Sequence, residues 1–216
     1  MNEVTQNFNK IALLPDKWDH NKHYEKLIIS EVPNGASILD IGCGTGELAK
    51  ALSTNAKLID AIDLSPTMIE QAKKRHSAKN INYIVKDFCE FDEENKYDCI
   101  VSVATFHHLD LTTALPKVIR LLKDGGVFIV LDLYERRGVL DRFLDLVAVP
   151  SNIILRLIYN KSLAIDPQEK ALWQEHSKYD EYDYFNELKE SYSKLLSNKI
   201  SLRRLVFWRY LMVYKK

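Results

Sequence analysis

Three glycines in five residues, Gly42, Gly44 and Gly46, stand at the end of one apolar run and at the head of an amphipathic one. Glycine lets a backbone pass close to a ligand where a side chain would block it, and three of them weaken a turn that needs only one or two. The loop Gly42-Cys43-Gly44-Thr45-Gly46 is therefore expected to seat a ligand. A dinucleotide would want a further glycine three places after the second, so that its pyrophosphate could rest on the helix N-terminus. That place holds Glu47, whose carboxylate would repel a phosphate. Asp40, two residues before the first glycine, suits a cation instead.

S-adenosylmethionine meets that demand, since it carries a sulfonium and an ammonium and no phosphate. A second acid supports it. Asp63 closes the next apolar run, roughly 20 residues past the glycines, where a carboxylate can accept hydrogen bonds from both ribose hydroxyls. Alone it could equally cap the following helix. Leu64 and Met68 would place apolar surface beside an adenine, although Met68 also fits a helix core.

The elements that must position these residues follow from the pattern. Short apolar runs alternate with amphipathic segments from Ile38 to Leu133, which predicts a parallel sheet with crossover helices. Strands are expected at Ser37–Ile41, Lys57–Ile62, Ile81–Val85, Cys99–Val103 and Val127–Leu133. Helices are expected at Glu47–Leu52, from Ser65-Pro66 to about His76, and from Leu111 to Lys123, the last ended by Gly125-Gly126. Residues 13–32 lead into a helix, and 134–197 read as a helical insertion with Ala171–His176 and Tyr182–Leu196 its clearest helices. The tail, Ile200–Tyr214, should add one or two edge strands.

Ile38-Leu39-Asp40-Ile41-Gly42-Cys43-Gly44-Thr45-Gly46, followed by Ile62-Asp63-Leu64-Ser65-Pro66-Thr67-Met68-Ile69, resembles the first two motifs of the class I S-adenosylmethionine-dependent methyltransferases. Lys86-Asp87-Phe88 resembles the pair that holds the adenine, Asp87 on the amino group and the Phe88 backbone on a ring nitrogen. Leu121 to Val127 resembles the turn into the fifth strand, with Asp124 where the family often has proline. The landmarks cover about residues 38–133. More loosely, Trp18-Asp19-His20-Asn21-x-His23-Tyr24 and the C-terminal Phe207-Trp208-Arg209-Tyr210 look like a bacterial subgroup of small methyltransferases. The resemblance implies a Rossmann-like α/β fold: a seven-stranded, mostly parallel sheet whose last strand runs antiparallel, with helices on both faces and a helical cap insertion. One domain over 1–216 is expected: an N-terminal capping region (1–35), a donor-binding core (36–133), a cap (134–198) and C-terminal edge strands (199–216).

The resemblance also implies that backbone carbonyls at Val103 and Ala104 hold the donor's ammonium group, and His108 matches a histidine common in the family, with His107 its neighbour. A histidine titrates near neutrality, so either could take a proton from the acceptor or simply line the pocket. Trp18, His23, Tyr24 and His176 are expected to face the acceptor, with Asp180 a further candidate. His20 and His23 could share a metal with His176 and Asp180 only if the fold brought them together, and no metal is expected.

Thirty basic and thirty acidic residues leave no net charge, which argues against a nucleic-acid acceptor, because such affinity comes from displaced counterions. The basic clusters Lys73-Lys74-Arg75, Arg136-Arg137 and Arg203-Arg204 read as solvated surface. Cys43, Cys89 and Cys99 show no metal spacing, which points to a reducing cytoplasm. The polar N-terminus has no signal core, and no window reaches the roughly 18 apolar residues a membrane span needs. Phe143–Leu157, the nearest, reads as cap core. The expected activity is methyl transfer to an oxygen, nitrogen or carbon nucleophile of a small molecule. Three rivals are a donor-binding regulatory module without turnover, a nicotinamide oxidoreductase, and a methyltransferase acting on a protein or a lipid.

Overall fold

A computed structural model describes residues 3–92, 96–164, 166–196 and 200–216. Its centre is a seven-stranded sheet of order β3-β2-β1-β4-β5-β7-β6. The strands are β1 (Ser37–Ile41), β2 (Leu58–Asp63), β3 (Ile81–Val85), β4 (Tyr97–Val103), β5 (Leu122–Leu133), β6 (Ile200–Arg204) and β7 (Arg209–Lys215). The first five pair in parallel, and β7 runs antiparallel to both β5 and β6. The tail therefore differs from the expectation of edge strands: β6 is an edge, whereas β7 fills an interior place, and all its residues but Lys215 are buried.

Strand side chains alternate between faces, and both faces are covered, which is why the strands read as nearly unbroken apolar runs. Leu39, Ile41, Phe128, Val130 and Met212 pack to one side, under α6 (Leu111–Leu121) and α9 (Phe185–Leu196). Ile38, Ile59, Val101, Ile129 and Leu211 pack to the other, where α3 (Glu25–Glu31, directly after the single turn α2, His20–His23), α4 (Glu47–Leu52) and α5 (Pro66–Arg75) supply Ile28, Ala49, Leu52, Ile69 and Ala72. Asp40 shares this second face with Ile38. Ser65 caps α5, its Oγ accepting from the Met68 N–H at 3.0 Å with Pro66 in the first turn, as the Ser-Pro pair predicts.

Three local differences have physical causes. Helix α6 stops at Leu121, short of Lys123, because Leu122 already pairs with Tyr97; the register then shifts before Cys99 meets Val127, and Gly125 sits in the excursion at φ +76°. The segment 134–198 is not all cap. Helix α9 buries Leu188, Tyr192 and Leu196 in the core, which among the described residues leaves α7 (Val139–Asn160) and α8 (Pro167–His176) as the cap helices; the boundary at 198–199 falls outside the described residues. The N-terminal residues, read as merely polar, form a helix α1 (Glu3–Ile11) after the undescribed Met1 and Asn2. Its Ile11 and Phe8 meet Met68 and Leu172, so α1 joins α5 to α8.

Helix α7 overturns the reading of Phe143–Leu157 as cap core. Val139, Leu140, Phe143, Leu146, Ile154 and Ile158 are each more than half exposed. The inward face is largely polar beside buried Ala148 and half-buried Leu155: Asp141 accepts from Tyr134 Oη (2.9 Å) and the Arg137 N–H (2.8 Å), and Asp145 accepts from Trp208 Nε1 (2.6 Å). By length and composition this helix is apolar enough to cross a membrane. An apolar run signals burial only when its partner is in the same chain.

Candidate active site

Two clefts meet at the carboxyl ends of β1 and β4, where ligands of open α/β sheets bind. The first, about 680 Å³, is lined by Asp40, Gly42 to Thr45 and Glu47 on the sheet side, and by Trp18, His20, Asn152, Arg156 and Trp173 on the far side. The second, about 590 Å³, is lined by Asp63, Leu64, Asp87, Phe88, Ala104, Thr105, His107 and His108. Gly42, Gly44, Met68 and Val103 line both, so the two are parts of one groove passing over the glycine loop.

The loop is bare for two different reasons. A Cβ on Gly42 would stand 2.2 Å from Thr105 Oγ1, so this glycine leaves room for the Thr105 side chain. A Cβ on Gly44, at φ +53°, would meet no protein atom within 4 Å and would project into open groove. Gly46 supplies the left-handed residue (φ +85°) preceding α4. Asp63 braces the loop from the next strand: its Oδ2 accepts from the Gly44 N–H at 2.9 Å and its Oδ1 from the Ser65 N–H at 2.8 Å. It thus braces the turn ahead of α5, whose cap is Ser65, and forms a wall of the second cleft. Asp87 likewise accepts from the Cys89 N–H at 2.7 Å, turning Phe88 inward to a buried position. Each carboxylate oxygen keeps a further lone pair for a ligand.

Asp40 is different. It is 2% exposed, its Oδ2 has no hydrogen-bond partner, and burial, followed by the nearby charge of Asp63, pushes its pKa up to about 7. A buried carboxylate without a partner is costly, and a cation beside it would restore the ordinary ionised state. Ala104 follows β4 in the left-handed region at φ +49°, an unfavourable conformation for a residue with a Cβ, and so places strain where the clefts join.

The paired histidines are held unequally. His107 Nδ1 lies 2.7 Å from Asp132 Oδ1, and the His107 N–H donates to Asp132 Oδ2 at 3.0 Å. Burial opposes a charge on this ring, but the hydrogen bond and charge of Asp132, with Asp180 behind them, outweigh it and raise its pKa to about 9. His108 is lowered to about 4 by burial and by its charged neighbour. The Nε2 atoms of both rings are sealed from solvent and face Asp180.

Of the residues expected at the acceptor, Trp18 lines the first cleft, stacked on Tyr159 with ring centres 5.6 Å apart. The Asn160 side chain grips the Trp18 N–H and carbonyl (2.9 and 3.1 Å). Tyr24 is spent on structure: it is buried and its hydroxyl donates to the Val206 carbonyl at 2.7 Å. His23 is exposed and packs edge-on to Trp18, Tyr24 and Phe207. His176 is buried beside Asp180 and His108, away from His20, whose Nε2 lies 3.0 Å from Asn152 Oδ1. His20 and His23 therefore never join His176 and Asp180. Sequence reasoning missed Asp132, 0% exposed; its signal was an acid inside the otherwise apolar run Val127–Leu133. Asn152, Arg156 and Asn160 were hidden inside what looked like an apolar helix.

Residues 38–126 match a family model described as a methyltransferase domain. An uncharacterised methyltransferase of Mycobacterium tuberculosis is 33% identical over 116 residues, 52% of this chain and 59% of that protein. A malonyl-[acyl-carrier protein] O-methyltransferase of Acetivibrio thermocellus is 41% identical over 93 residues, 42% of this chain and 33% of the relative. The chain thus spans less than two thirds of the length of these curated relatives. Among solved structures, the N-methyltransferase NodS of Bradyrhizobium japonicum, in complex with S-adenosyl-L-homocysteine, superposes with a TM-score of 0.61 at 14% identity, covering 100% of this chain and 99% of that one. An S-adenosylmethionine-dependent methyltransferase from Aquifex aeolicus does so at 0.61 and 16% identity, covering 98% and 97%. At such identities the likeness is one of fold, and it agrees with the seven-stranded sheet whose last strand is antiparallel. Sequence match and architecture agree: residues 38–126 match a methyltransferase domain, set in the fold shared by these solved methyltransferases.

Proposed function

We propose that the chain binds S-adenosylmethionine along the joined clefts and methylates a small molecule bearing an anionic group. The observation that carries this reading is the buried, unpartnered carboxylate of Asp40 beside the open space at Gly44. A cationic ligand satisfies the first and needs the second. Asp63 would take the ribose hydroxyls, Asp87 and the Phe88 backbone the adenine edge, and Leu64 and Met68 its faces. The loop from Gly42 through Cys43, Thr45 and Gly46, with the carbonyls of Val103 and Ala104, would hold the amino-acid end. A nicotinamide dinucleotide fits poorly, because Glu47 stands in the first turn of α4, paired at 2.7 Å with Lys22.

When bound, the donor supplies an electrophilic methyl group on a sulfonium, already a good leaving group. The chain's task is to align the acceptor and exclude water. Trp18, Trp173 and Tyr159 give the far wall apolar surface. Most acids at its rim are already paired, Asp16 with Arg75, Glu47 with Lys22 and Glu169 with Lys17. Arg156 lines the cleft with no acidic partner among the described residues, and we assign it to an acceptor anion. His107 is charged at neutral pH and the Nε2 of His108 is sealed, so in this reading the pair lines the floor and no base is drawn from it. Cys43, Cys89 and Cys99 are free thiols, in keeping with a reducing cytoplasm.

Calorimetric titration with S-adenosylmethionine and, separately, with NADH tests the donor. Release of S-adenosylhomocysteine with a panel of organic acids, against matched neutral compounds, tests the acceptor. Donor binding without release would favour the regulatory module. A second reading is favoured by the outward apolar face of α7: an acceptor held in a lipid surface, reached by a helix lying in the interface with its polar face toward the cleft. Methylation that requires vesicles would select it.

A further inference from the structure

Two imidazoles and one carboxylate meet beneath the second cleft, with a third imidazole, His176, beside the carboxylate. The Nε2 atoms of His107 and His108 and Oδ1 of Asp180 lie within 4.8 Å of one another. Asp180 Oδ1 is 3.7 Å from each of these nitrogens and 3.3 Å from His176 Nε2. Asp180 Oδ1 and the Nε2 atoms of His107 and His108 are sealed from solvent, and none of the three has a hydrogen-bond partner. The side chains of His107, His176 and Asp180 are over nine-tenths buried. Polar atoms in that state are rare in a folded protein and call for an explanation.

From this convergence we infer a binding site for a divalent first-row transition cation of the zinc class, with His107 and His108 ligating through Nε2 and Asp180 through Oδ1. Nitrogen and carboxylate ligands suit zinc, which takes four of them tetrahedrally at about 2.0–2.1 Å, so that neighbouring ligand atoms stand roughly 3.3 Å apart. The His107 and His108 Nε2 atoms each stand 3.7 Å from Asp180 Oδ1, a few tenths of an ångström beyond that value. The outer contacts fit as well. Asp132 holds His107 by Nδ1, which leaves Nε2 for the metal, and Tyr182 donates to Asp180 Oδ2 at 2.8 Å, which leaves Oδ1. Binding takes neutral imidazoles, so the proton now held by His107 is released to solvent as the ion enters.

Protein fills three of the four places, and the fourth is left for a water or other small ligand. His107 and His108 come from the connection after β4, His176 ends α8, and Asp180 follows it. An ion here would clamp the cap onto the sheet beside the groove. The inference does not rest on methyl transfer, and a failed donor titration would leave it standing.

The test is titration of the full chain, stripped with chelator, with ZnCl2 by calorimetry and with Co2+ by absorption. One equivalent per chain is expected, with the intense visible bands of tetrahedral Co2+ and a zinc-dependent rise in Tm. His108→Ala and Asp180→Ala should each weaken zinc at least a hundredfold, and Asp132→Asn about 10–100-fold. His76→Ala, in the separate group of Asp16, Glu47 and His76, should leave it unchanged. Absence of stoichiometric binding, an octahedral Co2+ spectrum, or full retention in folded His108→Ala overturns the site. Should Asp180→Ala fail to fold, the wild-type Co2+ spectrum and His108→Ala still decide.

Discussion

The two ends of the groove are built by different means. At the Asp63 end, carboxylates are held by backbone N–H groups of the neighbouring turns: Asp63 by Gly44 and Ser65, Asp87 by Cys89. At the Trp18 end, walls from distant segments are held by side chains: Trp18 on Tyr159, His20 near Asn152, Lys22 with Glu47. Backbone-held geometry survives most substitutions around it, whereas side-chain contacts can be exchanged one at a time without touching the sheet. The first end is suited to a ligand that never changes and the second to one that varies.

The sharpest way to break this contrast is at Gly44. Gly44→Val would put a β-branched residue at φ +53° and its side chain into the groove, and should reduce donor affinity at least a hundredfold, about 3 kcal/mol, in calorimetry. Undiminished affinity would mean that the donor does not pass over the loop. Asp63→Ala should cost about 1–3 kcal/mol of donor binding, from lost charge-assisted hydrogen bonds and a loosened loop; an unchanged dissociation constant would remove Asp63 from the site.

Asp40 sharpens the comparison through pH. With its pKa raised to about 7, chiefly by burial and then by Asp63, it is protonated below neutrality and ionised above. A cation binds the ionised form, so donor affinity should rise with pH up to about 7 and then level, falling about tenfold for each unit below. In the free protein the sign is opposite, since ionising this buried group between its ordinary range and pH 7 subtracts stability. Asp40→Asn should flatten the affinity profile, and a slope that persists in it would place the titration elsewhere. The smallest effect belongs to the other end. Arg156→Ala should raise KM for an anionic acceptor about fivefold to tenfold, as for one lost charge-assisted hydrogen bond, with the donor dissociation constant unchanged. A matching loss of donor binding would show that the ends are not separable.

The same division governs how much was legible beforehand. β1, β3 and α4 lie at Ser37–Ile41, Ile81–Val85 and Glu47–Leu52, as their periodicity and glycine boundaries imply, because local pattern and sheet packing agree there. The strand-end acids and the glycine loop were readable for the same reason. Helix α7 was readable as a helix but not as one that shows its apolar face outward, since periodicity reports that a face exists and not what covers it. The meeting of His107 and His108 with His176 and Asp180 joins segments some 70 residues apart, and no spacing rule spans that distance. Asp132 could have been suspected, because an acid in a doubly covered strand must find a buried partner.

The place of β7 bears on how the molecule comes into being. Its seat between β5 and β6 stays vacant until Arg209–Lys215 emerge from the ribosome, so the five parallel strands wait with β5 presenting an unpaired edge. Pairings of such long range are slow to form, and exposed edges invite association between nascent copies. Synthesis of this chain should therefore be sensitive to anything that delays or clips its final strand.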